Sequence, residues 1–393
     1  MCAEHKLPIS KAKIGFKDFI ILLDNEAIQR VLQKNNKNYK KSFAYKGLKE
    51  FLGEGLLTSE GENWLKNRRV LQPAFHKKEI NKIESVIKYT VQDSMNSIPK
   101  GEVDLQKMFL VWTRDILLKS FFNLSPNEVD GMDNIHEHLW FLRCYANDRM
   151  KNPLMLPPSY PTKTNKKFKT SIIELESIII KLFKQSAKKE EKGLFLQQIL
   201  EQTKLNNWTD QQVFDEILTL FLAGQETTTN ALVFLVYCLN QNPEYLFKVQ
   251  DENNPLQWEH IINEVLRLYP PAWAVSREAI SDDVLLGEKI KSGTTMFLSI
   301  YAMHRLPELW NEPDKFYPER FLTDYPKQAF MPFGLGPRMC IGNHFAMLEM
   351  KIIADNIYSN FKVELTNPKA LKLVTPITMG PKFPLMANFL PLQ

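Results

Sequence analysis

The chain has 393 residues, 44% hydrophobic and 24% charged, which is the composition of a globular protein able to bury a sizeable core. Its net charge of +5 is too small to imply nucleic-acid binding. Cys2, Cys144, Cys238 and Cys340 lie far apart with no C-x-x-C pair, so neither a disulfide framework nor a zinc site is expected, and a reducing, cytoplasmic location is.

The opening "MCAEHKLPISKAK" lacks the apolar core of a secretory leader. No apolar run reaches the ~18 residues that a membrane span needs. "KIGFKDFIILL" alternates and then turns apolar, which predicts two short strands turned at Lys17-Asp18. "DNEAIQRVLQKN" predicts a helix capped by Asp24 or Asn25. Residues 61–98 read as helical with a break at Pro73, and residues 103–122 and 128–150 as further helices. Residues 151–167 form a proline- and lysine-rich connection, and a long helix follows whose lysine and glutamate end is a solvated face. Thr209 and Gln212 make a capping box for a helix running to about Asn240, roughly 45 Å at 1.5 Å per residue. Asn242-Pro243 starts the next helix, and "PLQWEHIINEVLRLYP" predicts another. Short strand-like pieces follow, and residues 371–391 read as a β-hairpin. The expectation is a single domain over 1–393, mainly α (α+β), with small β-sheets around one oversized helix.

"FGLGPRMCIG" (residues 333–342) places Cys340 in a loop with Gly336, Arg338 and Gly342, just before the helical pattern "NHFAMLEMKIIADNIYSNF". Loop N–H groups, a helix N-terminus and a nearby cation all favour a thiolate. The stretch resembles the haem-ligand loop of the cytochrome P-450 family, F-x-x-G-x-R-x-C-x-G, with every specified position filled. The resemblance extends from about residue 14 to the C-terminus. It implies a helical bundle around haem b, with Cys340 as axial ligand of the iron, Phe333 packed beside the sulfur and Arg338 on a haem propionate. Gly342 belongs to the same loop.

Four other stretches agree with that resemblance. "AGQETT" (residues 223–228) sits inside the long helix, where Gly224 weakens the helix and Thr227 and Thr228 can bond back to earlier carbonyls and bend it. It resembles the family's oxygen-activation motif, which makes Glu226 and Thr227 the expected proton relay, with Ala223 against the haem. Glu264 and Arg267 stand three apart on one helix face. Together with Arg320 of "FYPERF" they resemble the family's buried structural clamp. Trp64 and Arg68 resemble the family's W-x-x-x-R on one propionate, and Arg277 the arginine on the other.

The resemblance implies a monooxygenase that uses O2 to hydroxylate or oxidatively dealkylate a small organic substrate. Alternatives on the same fold are a haem-binding sensor, a peroxygenase or an isomerase. The acid–alcohol pair Glu226–Thr227 argues against these. The chain ends soon after residues 371–391, so no fused reductase is expected. Electrons would come from NAD(P)H through a separate ferredoxin or flavodoxin and its reductase, steered by Lys66, Arg68 and Arg69. No membrane or nucleic-acid partner is expected, and the protein is expected to be a monomer. Trp140, Arg143, Phe221, Ala272, Trp273, Thr378 and Met379 are the candidate substrate-pocket residues. They leave open a lipophilic acid or terpenoid and a small polar O-methylated compound.

Overall fold

The computed structural model describes residues 8–14, 17–152, 155–205 and 208–392. The first half of the stretch read for a leader, Cys2 included, lies outside them. The chain divides into two compact units, one built from Met1–Ala44, Asn230–Asn343 and Phe361–Gln393, the other from Tyr45–Thr229 and His344–Asn360.

The first unit is built on a five-stranded sheet. Its strands are β1 (Ile9–Ile14), β2 (Lys17–Leu22), β3 (Tyr39–Lys41), β4 (Ala274–Ala279) and β5 (Thr295–Ser299). The spatial order is β1-β2-β5-β4-β3. β2 runs parallel to β5, with Phe19 opposite Thr295, and the other pairs are antiparallel. Ile20, Leu22, Met296 and Leu298 pack with Ile28, Val31 and Met303 into the core on this sheet. Asp24 caps the helix that follows β2, its carboxylate accepting from the Ala27 N–H at 2.8 Å. The turn is not at Lys17-Asp18, because both residues already belong to β2, and residues 15–16 lie outside the described residues. Lys13 and Asp18 face each other across the ladder at 3.9 Å, so the polarity there marks a cross-strand pair.

Residues 371–391 do not form one hairpin. Leu373–Val374 pairs with Gly380–Pro381, while Met386–Pro391 pairs antiparallel with Phe361–Leu365. Pro381 and Pro384 lack the N–H groups that a continuous ladder needs.

The helices that carry the candidate site are α1 (Gly61–Leu71), α2 (Leu105–Leu117), α3 (Ile135–Lys151), α4 (Lys163–Lys188), α5 (Asp210–Gln241), α6 (Trp258–Leu268) and α7 (Asn343–Asn360). The break at Pro73 is a tight turn over Gln72–Phe75. α2 opens on Asp104, whose carboxylate accepts from the N–H of Gln106 at 3.0 Å. α3 starts at Ile135 rather than 128, because Pro126 and Gly131, the latter at φ 85°, hold the chain in two short turns first. α5 keeps its expected capping box, with the Gln212 side chain 2.9 Å from the Thr209 N–H, and it runs unbroken for 32 residues through Gly224. Gly224 serves packing: a Cβ there would sit 3.1 Å from Leu117 of α2. In the second unit Phe121 packs on Phe345 of α7 with centroids 4.7 Å apart, and Phe122 stacks on Phe221 of α5 at 5.9 Å.

Candidate active site

In the first unit, α6 builds a closed charge cluster. Arg267 donates from Nε to Glu264 Oε2 at 2.7 Å and from Nη2 to Oε1 at 2.8 Å, a bidentate fork between two fully buried side chains. Arg320 adds a bond from its Nε at 3.1 Å, and the Tyr317 N–H another at 2.8 Å. The remaining donors of Arg267 reach the carbonyls of His304 (2.7 Å), Pro313 (2.6 Å) and Lys315 (3.1 Å). The cluster thus ties α6 to residues 304–320 and leaves no guanidinium hydrogen of Arg267 to spare.

The cysteine loop is held from behind. The Cys340 N–H donates to the Phe333 carbonyl at 2.8 Å, and the Met339 N–H to Gly336 at 3.0 Å. Gly334 and Gly336 sit at φ 77° and 72°, where a side chain is strained. At Gly336 a Cβ would also lie 2.0 Å from the Leu32 carbonyl, so only glycine fits. The backbone is therefore locked while the Cys340 thiol is exposed. Phe333, Arg338 and Gly342 are half-buried around it.

Arg277 on β4 is only 8% exposed, and among the described residues it makes one side-chain hydrogen bond, to the Ser276 carbonyl at 2.9 Å, with no carboxylate beside it. A buried guanidinium without an anion is costly unless a ligand supplies one. An exposed thiol on a fixed loop and a buried cation lacking its anion fit a haem, which offers an iron to the first and a propionate to the second. Also in this unit, Trp273 packs on Phe297 with centroids 5.4 Å apart, the Met379 N–H bonds the Pro271 carbonyl at 2.8 Å, and Ala272 and Thr378 are half-buried.

In the second unit, α1 carries Trp64 and Arg68 one turn apart, both half-buried, with Arg68 Nε 3.3 Å from Gln72 Oε1. Lys66 and Arg69 are exposed. On α5, Phe221 is buried and Ala223 is exposed. The Thr227 hydroxyl donates to the Ala223 carbonyl at 2.7 Å, as its spacing predicts. Glu226 does not stand free: Arg143 of α3 holds it in an ion pair, with side-chain exposures of 5% and 19%. The same guanidinium lies 4.2 Å from the ring centre of Trp140, whose other surface is in solvent. Burial pulls the Arg143 pKa down to about 10. The residues expected to touch substrate, Trp140 and Arg143, are thus engaged with each other and with the acid.

His304 and Glu349 are among the buried ionisable groups that carry no mark in the sequence analysis. His304 is wholly buried, and its Nε2 accepts from the Met331 N–H at 3.0 Å, so its Nδ1 carries the hydrogen that faces the Arg267 carbonyl at 3.2 Å. Burial drives its pKa down to about 3. Glu349 on α7 is also wholly buried; Thr228 lies alongside, but among the described residues neither carboxyl oxygen has a well-formed hydrogen bond. Burial pushes its pKa well above the usual carboxylate range. The one signal in the sequence was an acid on the apolar face of "AMLEMKIIADNIY".

The cytochrome P-450 family model matches residues 1–382. A chloroplast cytochrome P-450 of Glycine max is 27% identical over 462 residues, covering 95% of this chain and 79% of that one. A cytokinin hydroxylase of Arabidopsis thaliana is 29% identical over 419 residues, covering 96% of this chain and 80% of that one. Among solved structures, a cytochrome P-450 of Thermus thermophilus superposes with a TM-score of 0.81 at 24% identity, covering 98% of this chain and 92% of that one. A second, six-coordinate cytochrome P-450 from another strain of the same species gives 0.79 at 24% identity, covering 98% and 96%. The mainly α fold with small sheets is therefore the fold of these neighbours, and among the described residues no helix is long and apolar enough to cross a membrane. With a family model matched over almost its whole length, this chain belongs to the cytochrome P-450 family of haem-iron monooxygenases that use O2.

Proposed function

We propose that Cys340 would hold the haem iron through its sulfur and that this monooxygenase acts on a lipophilic substrate, with electrons delivered from NAD(P)H by a separate ferredoxin or flavodoxin and its reductase. The presentation of Cys340 carries the reading: an exposed thiol on a loop locked by the Phe333 carbonyl and by Gly336. When bound, haem supplies oxygen binding and activation, which a thiolate ligand tilts toward O–O cleavage.

The chain's own residues supply anchoring, dryness and protons. Arg277 and Arg338, with Trp64 and Arg68, are assigned to the propionates, and Phe333 to the flank of the sulfur. The Thr227 hydroxyl spends its hydrogen on Ala223, which leaves its oxygen free to accept a hydrogen bond. Glu226 is assigned the store of protons that pass to Thr227. Among the substrate candidates, Phe221 and Met379 are buried and apolar, Trp273 is packed on Phe297, and Arg143 is already paired. That set favours a terpenoid or a lipophilic acid over a small polar O-methylated compound. Cytoplasmic location and a single catalytic domain are kept as part of this reading, the former because Cys144, Cys238 and Cys340 form no disulfide among the described residues.

The reduced carbon monoxide complex should show the strongly red-shifted Soret band of a thiolate ligand, and Cys340→His should lose it. A histidine-type spectrum from the unaltered protein would refute the assignment of Cys340. Titration with terpenoids and fatty acids should shift the haem toward high spin, and a response confined to polar O-methylated compounds would reverse the choice of substrate class.

A further inference from the structure

Helix α1 carries Trp64 and Arg68, yet apolar packing gives it little to hold. Of its 11 residues the buried ones are Asn67 and Leu71, which share a face with Trp64 and Arg68 through i,i+3 and i,i+4 spacing. Asn67 is 3% exposed, and its amide nitrogen donates twice, to Glu216 Oε1 of α5 at 2.7 Å and to the Glu54 carbonyl at 3.1 Å. The other Glu216 oxygen accepts from the Leu56 N–H at 3.0 Å, and this side chain too is buried. Beside it on α5, Asp215 accepts from the Glu54 N–H and from the Gln211 amide, both at 2.8 Å. Thr58 closes the loop on itself, its hydroxyl donating to the Gly53 carbonyl at 2.8 Å. The loop lies so close to α5 that a Cβ at Gly55 would sit 2.7 Å from the Asp215 carbonyl.

Two adjacent acids of α5 thus grip residues 53–58 and α1 as one piece. Burying an acid is costly, and a joint that only had to stick could be apolar. What the carboxyl adds is direction, since each hydrogen bond fixes the angle of its donor as well as the distance. With Leu71 alone as apolar anchor, the bond between Glu216 and Asn67 sets the rotation of α1 about its own axis. Arg68 is the next residue along, and Trp64 stands one turn earlier, so that rotation decides where both side chains point. We propose that Glu216, acting through Asn67, is the positioning residue that aims Trp64 and Arg68 at a haem propionate. The inference rests on the assignment of those two side chains to a propionate.

The test uses the haem-loaded protein and two readouts, the rate of haem transfer to apomyoglobin and the midpoint potential of the iron. Glu216→Gln turns one of two acceptors into a donor and sets it against a donor. It should speed haem transfer roughly tenfold, the effect of one hydrogen bond lost at the anchor. It should also lower the potential, because a propionate less well paired leaves more negative charge near the iron. Combining Glu216→Gln with Asn67→Asp exchanges donor and acceptor, and should restore most of both readouts, which a general loosening of the fold would not allow. Asn67→Ala breaks the same link from the helix side, so the test survives a Glu216→Gln protein that folds poorly. In a protein already carrying Trp64→Phe and Arg68→Ala, Glu216→Gln should add nothing further. If Trp64→Phe with Arg68→Ala speeds haem transfer, while Glu216→Gln and Asn67→Ala leave the potential unchanged or add their full effect on top, Glu216 is structural and this inference is wrong. If Trp64→Phe with Arg68→Ala changes neither readout, the propionate assignment falls and this inference with it.

Discussion

Arg267 and Glu264 face each other through two parallel hydrogen bonds of 2.7 and 2.8 Å, and neither side chain exposes any surface to water. Three amino acids apart on an exposed helix, such a pair contributes only tenths of a kcal/mol. Buried, it has a different meaning: removing one partner strands the other charge. Glu264→Ala or Arg267→Ala should therefore cost roughly 3–5 kcal/mol, against a total stability of about 5–15 kcal/mol. Arg267→Lys keeps the charge but loses the fork and should also destabilise. Thermal denaturation and haem content of the purified variants check this, and wild-type values in all three would contradict it.

Thr227 donates its hydrogen back into its own helix, so its removal should leave the fold unharmed. Thr227→Ala should bind haem and substrate normally. It should still consume NAD(P)H, while more of the reducing power leaves as hydrogen peroxide and less as product. Thr227→Ser keeps the hydroxyl and should recover most of the coupling. The ratio of product to NAD(P)H consumed is the measurement, and an unchanged ratio in the alanine variant would remove Thr227 from the relay.

His304 makes stability depend on pH on the acid side. The folded protein keeps this ring neutral down to about pH 3, whereas the unfolded chain protonates it near the ordinary value of 6.5. The unfolded state therefore binds the extra proton first as pH falls. Its contribution is complete above about pH 6.5 and is lost below it, by about 1.4 kcal/mol for each pH unit until the folded value is reached. His304→Gln, whatever its effect at neutral pH, should flatten that slope in denaturant titrations. Equal slopes in both proteins would mean that the ring is hydrated.

Glu349 works in the opposite direction. Its folded pKa is raised, so the unfolded chain loses the proton first, near the ordinary carboxylate value of about 4.3, and stability declines as pH rises beyond that point. Glu349→Gln replaces a buried acid with a neutral group of the same shape. Its stability should gain on the unaltered protein as pH rises above the ordinary carboxylate value of about 4.3. A constant offset above that value would show that Glu349 is ionised in the fold.

Much of this was legible in the chain because the signals were local. Pro73 ended a helix, Thr209 and Gln212 opened another, and the spacing of Glu264 and Arg267 put both on one face. The ring of residues around Cys340 was legible for the same reason, since loop chemistry is written in consecutive positions. What could not be read depended on distant partners. Met386–Pro391 pairs with Phe361–Leu365 and not with its sequence neighbour, because prolines denied it the nearer ladder. Arg143 looked available to a substrate until α3 was seen to bring it against Glu226. His304 and Glu349 carry no sequence mark of burial beyond apolar neighbours, and only packing decides that a titratable group is dry.

The close fit of Gly336 against the Leu32 carbonyl also fixes a schedule. The two residues are separated by most of the chain, and β2, just before Leu32, waits equally long for its parallel partner β5. Nothing made early in translation can hold the cysteine loop in shape. Pairs so distant in sequence form slowly, since the long loop has to close before the contact rewards it. The loop of Cys340 can therefore close on Leu32 only late, and β2, although paired with β1, presents an open edge until β5 has been made, exposed to chaperones and to aggregation.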